Sequence, residues 1–381
     1  MAALRFTIIT GEDKIVVLGQ SEQGENWYMR TYNPDCDDNE TLGHMKHSFR
    51  TAIVAHKASL FAIGGRFKDE YCSTRVEEFN VKNRQWKSRA SLLTGRDNHA
   101  AVFVKIGEQD VILVCGGWNK KDEELRSCEL FVPQEDRWHS LPELREGREG
   151  PAAAALPDGR AFVLGGHDGA NSLASVEYCH LRPDWMETAA QDAGFWKPVA
   201  SMLSPRSFLG AAEFKGKIIV VGGYDDRHSL ESVEMFSPPT DDQPLGQWTK
   251  LASMDCFRSP VSLVVYENRL IPIGIVITTD NNYNSLEFHC AKKDRGESIE
   301  VTERGVLRSR LRPVWTKVTV LHRRETVRSI VSTQDKCTTA RQGSCGRTLS
   351  SLSHLRKPVP PSWVTQNLSV QPKTTLVPLL I

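Results

Sequence analysis

The residues able to do chemistry are plentiful but scattered. Eleven histidines and nine cysteines stand among 48 Lys+Arg and 47 Asp+Glu in 381 residues. Zinc or redox chemistry would need C-x-x-C pairs or ligand-spaced histidines, and the cysteines at 36, 72, 115, 128, 179, 256, 290, 337 and 345 form no such pair. No phosphate loop, G-x-G-x-x-G, H-E-x-x-H or G-x-S-x-G occurs. His167 and His228 follow glycine pairs, which brings both to one set of loops. A metal or acid–base role for them competes with the plainer reading of surface histidines. The chain is read as non-enzymatic, with no catalytic group, metal or cofactor.

What recurs instead is a glutamate and an arginine at fixed places. Four apolar runs end in glycine pairs, Gly64-Gly65, Gly116-Gly117, Gly165-Gly166 and Gly222-Gly223, with imperfect copies at Gly19 and Gly274. The first glycines are 45, 52, 49, 57 and 52 residues apart. Eleven or twelve positions after the second glycine stand Glu77, Glu129, Glu177 and Glu234. The tryptophans Trp86, Trp138, Trp196 and Trp248 follow, and ten residues after each is Arg96, Arg148, Arg206 or Arg258. An isolated buried charge is expensive, so the recurring Glu and Arg are expected to meet in a buried, hydrogen-bonded contact. The glycine pairs suit positive φ and close backbone approach, and the tryptophans suit packing of one sheet on the next.

Short β-branched or aromatic runs bounded by turn residues lie between these markers, such as Val111–Cys115 and Arg137–Leu141. No sustained helical periodicity is found between residues 50 and 275; Ser175–Trp185 comes nearest. Each unit is therefore expected to hold four short strands over about fifty residues, the size of a propeller blade.

The pattern of apolar-Gly-Gly, Val-Glu-x-Phe and Trp-x2-Leu-x2-Leu/Met resembles the Kelch repeat. It is clearest in Gly116-Gly117…Cys128-Glu129-Leu-Phe131…Trp138 and in Gly222-Gly223…Val233-Glu234-Met-Phe236…Trp248. The resemblance implies an all-β, six-bladed Kelch β-propeller over residues 1–290. Its first and last blades are degenerate: Arg30 replaces the first glutamate and His289 the last aromatic. A last strand is expected near 313–322, around Trp315, inside residues 291–325, which read as a charged insertion or last-blade remnant.

In such a fold, positions that differ between blades at one end are free to serve a ligand. The loops after the glycine pairs supply Arg66, Tyr71, Trp118, His167, Asn171, Tyr224, Arg227 and His228. Arg5, Arg50 and Phe208, at one offset before the first glycine of their units, join them with Asn98, two after Arg96. Trp, Tyr and Arg are favoured interface anchors, although the aromatics could equally cap the ends of the core. The expectation is a shallow pocket that captures a peptide segment of a protein partner. The resemblance implies the substrate-recognition part of cullin–RING ubiquitin ligase adaptors. The helical BTB and BACK regions of that family do not precede the first unit, which starts near Leu4, so the propeller is expected to hold a substrate without recruiting a ligase. An actin-binding cytoskeletal role is the alternative, and a galactose-oxidase-like enzyme, whose Tyr, His and Cys ligands have no counterparts here, is the third.

Charge divides the chain. From Lys292 onward there are 17 Lys+Arg against 6 Asp+Glu, a net of +11, and before it 31 against 41, a net of −10. Residues 326–381 are rich in Ser, Thr, Pro and basic groups and read as a disordered tail. Lacking signal-peptide and membrane-span patterns, the chain is expected to be cytoplasmic with reduced cysteines, without membrane or nucleic-acid partners.

Overall fold

The computed structural model describes residues 5–9, 14–20, 27–32, 40–45, 50–67, 70–191, 194–266, 268–277, 282–293, 299–308 and 320–321. Side chains are described in 15–16, 27–31, 40–45, 50–67, 70–190, 194–266 and 268–274. By its contacts the chain divides into Met1–Glu325 and Thr326–Ile381. The expected tail lies outside the described residues.

Six antiparallel sheets follow one another along the first unit, each from contiguous chain with sequential strands as neighbours. Blade 1 holds β1 (Arg5–Ile9), β2 (Lys14–Gln20), β3 (Trp27–Tyr32) and β4 (Thr41–Met45). Blade 2 holds β5 (Ala52–His56), β6 (Ser59–Ile63), β7 (Val76–Asn80) and β8 (Gln85–Arg89). Blade 3 holds β9 (Ala100–Ile106), β10 (Gln109–Cys115), β11 (Cys128–Val132) and β12 (Arg137–Leu141). Blade 4 holds β13 (Ala152–Ala155), β14 (Arg160–Leu164), β15 (Val176–His180), the helix α1 (Trp185–Gln191) and β16 (Lys197–Val199). Blade 5 holds β17 (Gly210–Phe214), β18 (Lys217–Val221), β19 (Val233–Ser237) and β20 (Gln247–Lys250). Blade 6 holds β21 (Arg258–Tyr266), β22 (Arg269–Ile277), β23 (Asn282–Lys293), β24 (Ile299–Arg308) and β25 (Val320–Leu321).

The innermost strands β1, β5, β9, β13, β17 and β21 lie against one another in that order, and β21 lies against β1. This is a closed six-bladed propeller. Blades 1 and 6 close without exchanging a strand.

Within residues 291–325, read as an insertion or blade remnant, the described residues carry the end of β23, all of β24 and the two-residue β25, which pairs with Val306 and Leu307. Of the strand expected near 313–322, residues 313–319 and 322 lie outside the described residues. The helix α1 was not expected. It sits within the longest unit and is anchored by the buried Trp185, whose ring meets His139 of blade 3 edge-on at 5.3 Å. Trp185, with Ala189 one turn on, packs it against the core between blades 3 and 4.

The core is a series of layers between blades. Each second strand is sandwiched between its two neighbours, so its apolar run is unbroken and its alternate side chains serve different layers. Phe61 and Ile63 of β6 face Ile112 and Val114 of blade 3, while Leu60 and Ala62 face Val16 and Met29 of blade 1. Leu113 and Cys115 continue from blade 3 to Ala161 and Val163 of blade 4. Each fully buried Leu, Ile or Phe contributes about 1.5–3 kcal/mol. Near the axis, where six strands converge, small residues dominate: Ala52, Ala55, Ala100, Ala101, Ala152, Ala153, Gly210, Ala211 and Ala212 line the channel.

Candidate functional site

The recurring charges do meet, and they do so between blades. Arg96, in the connection between blades 2 and 3, donates to Gly116 O at 2.7 Å, Ser127 O at 2.9 Å, Ser127 Oγ at 2.9 Å and Glu129 Oε1 at 2.6 Å. Arg148 repeats this on Gly165, Ser175 and Glu177, and Arg206 on Gly222, Ser232 and Glu234. Arg258 reaches Gly274 O at 3.5 Å. All four arginines are buried, with Glu129, Glu177 and Glu234. The free carboxylate oxygens accept backbone N–H groups from Leu93 at 2.7 Å, Arg145 at 3.1 Å and Leu203 at 2.7 Å. Glu77 is only half-buried.

Each arginine also ties its own blade. Its carbonyl accepts the N–H of the second glycine: Gly65 to Arg96 at 2.8 Å, Gly117 to Arg148 at 2.7 Å, Gly166 to Arg206 at 3.0 Å and Gly223 to Arg258 at 2.9 Å. At Gly116 and Gly117, with φ of 66° and 96°, an added Cβ would fall 2.6 Å from Arg148 O and 2.5 Å from Asp97 O. No side chain fits there. The tryptophans tie the outer strands: Trp138, Trp196 and Trp248 each donate Nε1–H at 2.8 Å to the preceding blade, at Ala90, Pro142 and Ala200. Trp86, half-buried, donates to His44 O at 3.0 Å.

This scaffold brings the glycine-pair loops and the blade connections to one end of the channel, here called the rim. A chain of backbone hydrogen bonds runs around the mouth. Asn98 N donates to Arg50 O at 3.2 Å, Gly150 N to Asn98 O at 2.8 Å, Phe208 N to Gly150 O at 2.7 Å, and Val261 N to Phe208 O at 3.2 Å. Arg50, Asn98, Gly150 and Phe208 have φ of 68°, 49°, 61° and 53°. In blade 6 the place is taken by Pro260, after a cis peptide bond. Behind the mouth lies a cavity of about 530 Å³ lined by the inner strands, within the usual size range of ligand pockets.

The loop residues pack against the mouth. Trp118, His167 and Tyr224 pair by backbone with Asp97, Glu149 and Ser207, each the residue after a clamp arginine. Asn98 Nδ2 donates to Glu149 Oε1 at 2.7 Å, and Arg50 lies 3.7 Å from the buried Asp97. Asp226 crosses from blade 5 to blade 4, accepting Ser172 N and Oγ at 2.6 Å each, with His167 Nε2 at 3.7 Å. Gly169 N donates to His167 Nδ1 at 3.0 Å, which leaves Nε2 facing Asp226.

The mouth thus gathers Arg50, Asn98 and Phe208, with Trp118, His167 and Tyr224 beside them. Tyr71 is exposed and stacks under the Arg66 guanidinium at 3.9 Å on the blade 2 loop. Asn171, Arg227 and His228 are exposed on the outer loops, and the Arg5 side chain lies outside the described residues. Sequence reasoning missed Gly150, Pro260, Glu149, Ser172 and Asp226. Glu149 had a signal, since it follows Arg148 as Asp97 follows Arg96; Gly150 and Pro260 offer only backbone. Among the described residues no group of three or more His, Cys, Asp or Glu could hold a metal, and no helix is long and apolar enough to cross a membrane.

Interblade Arg–Glu clamps, paired glycines and a ring of loops around an axial channel define a repeat propeller. The chain belongs to the Kelch-repeat family: residues 50–274 match the KLHDC2/KLHL20/DRC7 Kelch-repeats domain. It is 24% identical over 232 residues to the F-box/kelch-repeat protein SKIP30 of Arabidopsis thaliana, covering 51% of this chain and 64% of that protein. It is 27% identical over 249 residues to Kelch-like protein 38 of Rattus norvegicus, covering 63% of this chain and 38% of that protein. With Kelch-like protein 26 of Mus musculus it shares 29% over 201 residues, 49% of this chain and 30% of that one. The chain therefore spans less than two thirds of these relatives' length. Among solved structures it is similar in fold to YjhT, with a TM-score of 0.61 and 14% identity over 79% of this chain and 97% of that one.

Proposed function

We infer that this propeller is a protein-interaction module whose rim captures a peptide segment of a partner. The observation that carries the reading is the mouth itself. Backbone hydrogen bonds fix Arg50, Asn98, Gly150 and Phe208 around a channel of about 530 Å³, and the variable loops with Trp118, His167 and Tyr224 pack directly beside it. A rigid scaffold carrying variable loops is the usual arrangement of a recognition surface. The kinship with Kelch-like and F-box/kelch proteins supports an adaptor role, in which the captured partner is presented to a ubiquitin ligase of the cullin–RING type.

Quantitative affinity enrichment from cell extract tests this with three proteins: the wild type, Trp118→Ala with Tyr224→Ala, and Lys215→Glu. Lys215 lies in the turn between β17 and β18 at the other end of the channel. Partners should be retained by Lys215→Glu and lost by the double variant. Recovery of ligase components with those partners supports the adaptor role; equal recovery by the double variant contradicts capture at the rim.

A further inference from the structure

Four equivalent places around the mouth adopt left-handed backbone, and glycine is the residue that does so without steric cost. Blade 4 uses glycine there, Gly150. The fold therefore does not need a side chain at this place, yet blade 5 puts Phe208 there at a φ of 53°. A bulky residue in this region is an outlier, and such strain gathers at functional sites. The Phe208 ring is half-buried and sits close against its neighbour: a Cβ on Gly150 would meet the ring atoms Cδ1 and Cε1 at 2.7 and 2.8 Å. The bare glycine and the ring together form a floor and a wall at the entrance of the cavity.

Beneath them the walls are methyl groups and strand edges. Each inner strand pairs on one side only within its sheet, so its other edge faces the channel with backbone donors and acceptors. Glu213, the carboxylate among the described lining residues, is at the far end and accepts the turn N–H of Gly216 at 2.7 Å. A charged group entering from the rim would lose its hydration to walls that offer, short of Glu213 at the far end, backbone groups, Asn98 and the buried His99. At the surface next to Gly150 and Phe208, the carboxylates Glu149 and Asp226 are held by neutral donors, the Asn98 amide and Ser172, with His167 beside Asp226. Arg50 is 3.7 Å from Asp97, and Arg66, Arg227 and His228 stand on the outer loops.

We propose that Phe208 is the specificity-determining residue of the rim: it walls a pocket on Gly150 that takes one uncharged, apolar side chain of the partner segment, with the segment's basic flank over Glu149 and Asp226. This rests on the peptide-capture reading and names the chemistry of what is captured. Charge complementarity selects that occupant, because the wall formed by Gly150 and Phe208 carries no charge and the carboxylates Glu149 and Asp226 flank it.

The probe is a phage-displayed library of random linear peptides selected on the full chain. Selected peptides should share one apolar position with Lys or Arg to one side. Their affinity should fall by about tenfold or more in Phe208→Gly, while the melting temperature stays level or rises because the left-handed strain is relieved. Gly150→Ala, which pushes the ring, should also weaken them, and Asp226→Asn should lower both affinity and its dependence on salt. Peptides that lose binding with Trp118→Ala but keep it with Phe208→Gly overturn this proposal and leave peptide capture standing. So do selected peptides whose shared position is charged. Failure to select any peptide that responds to changes at the rim overturns both.

Discussion

Arg148 and Glu177 belong to different blades, are each almost wholly removed from solvent, and meet at 2.9 Å through Nη2 and Oε1. The same pairing joins Arg96 to Glu129 and Arg206 to Glu234. The polar residues that recur in this chain are joints between repeats. The apolar layers alone would let blades slide; a buried guanidinium with fixed acceptors permits one register.

Removing one member of a joint leaves the other charged and buried. Glu177→Ala is expected to destabilise the propeller by about 3–5 kcal/mol. Arg148→Met combined with Glu177→Leu should cost less than either single change, because no unpaired charge remains. Urea unfolding of the three variants checks this; a double variant worse than both singles would count against it.

Gly117→Ala is expected to cost far more than Gly216→Ala. Both have positive φ, 96° and 75°, but a Cβ at Gly117 would lie 2.5 Å from Asp97 O, whereas at Gly216 nothing lies within 4 Å. The second change should cost about 1 kcal/mol, the backbone share alone. Comparable melting temperatures for the two variants would show that close approach between blades is unimportant.

The buried thiols should be silent in the folded state. Cys72, Cys115, Cys128 and Cys179 are free and buried, and Cys256 is partly exposed. Burial pushes the Cys72 thiol up to about 11, with Asp97 adding to it. Burial likewise raises Cys115 and Cys179 well above the usual thiol value. Iodoacetamide near pH 8 should label Cys256 and spare the other four until denaturant is added. Peptide mass mapping reads the outcome, and rapid labelling of Cys115 would contradict the layered core.

At the far end of the channel, His56 stacks on Phe103 at 4.0 Å and contacts Asp110 Oδ2 at 2.9 Å, which Lys57 also reaches at 2.8 Å. Burial holds the imidazole below its ordinary value of 6.5; Lys57 and Lys105 act the same way, and Asp110 opposes them. The unfolded chain then binds the proton more readily, so stability should be full above pH 6.5 and fall as the pH drops from there toward the lowered folded value. His56→Gln should flatten this part of the stability profile. An identical slope in the variant would assign the effect elsewhere.

The strands were legible because a blade's second strand is buried on both faces, and its unbroken apolar run stops at a glycine pair. The spacing of Trp and Arg was legible for the same reason: one geometry is copied with each blade. Which copies pair was not, because Arg148 and Glu129 of one unit look as suitable as Arg148 and Glu177 of adjoining units. The mouth was half visible. Asn98 and Phe208 carry side chains that suggest contact, but the hydrogen-bond chain through Gly150 is backbone, and Gly150 resembles any other glycine. Asp226 was hidden because its partner, Ser172, comes from the preceding blade's loop. The helix α1 escaped because its two packed residues, Trp185 and Ala189, are too few to mark a period.

The central claim is that partners are captured at the rim, and site-specific photo-crosslinking tests it most directly. A benzophenone amino acid replaces Tyr71, Tyr224 or, at the opposite end, Lys215, in the full chain exposed to cell extract. Partner adducts are expected from positions 71 and 224 and not from 215. Adducts from 215 alone, or equally from all three, would contradict the assignment of the binding surface to the glycine-loop end of the propeller.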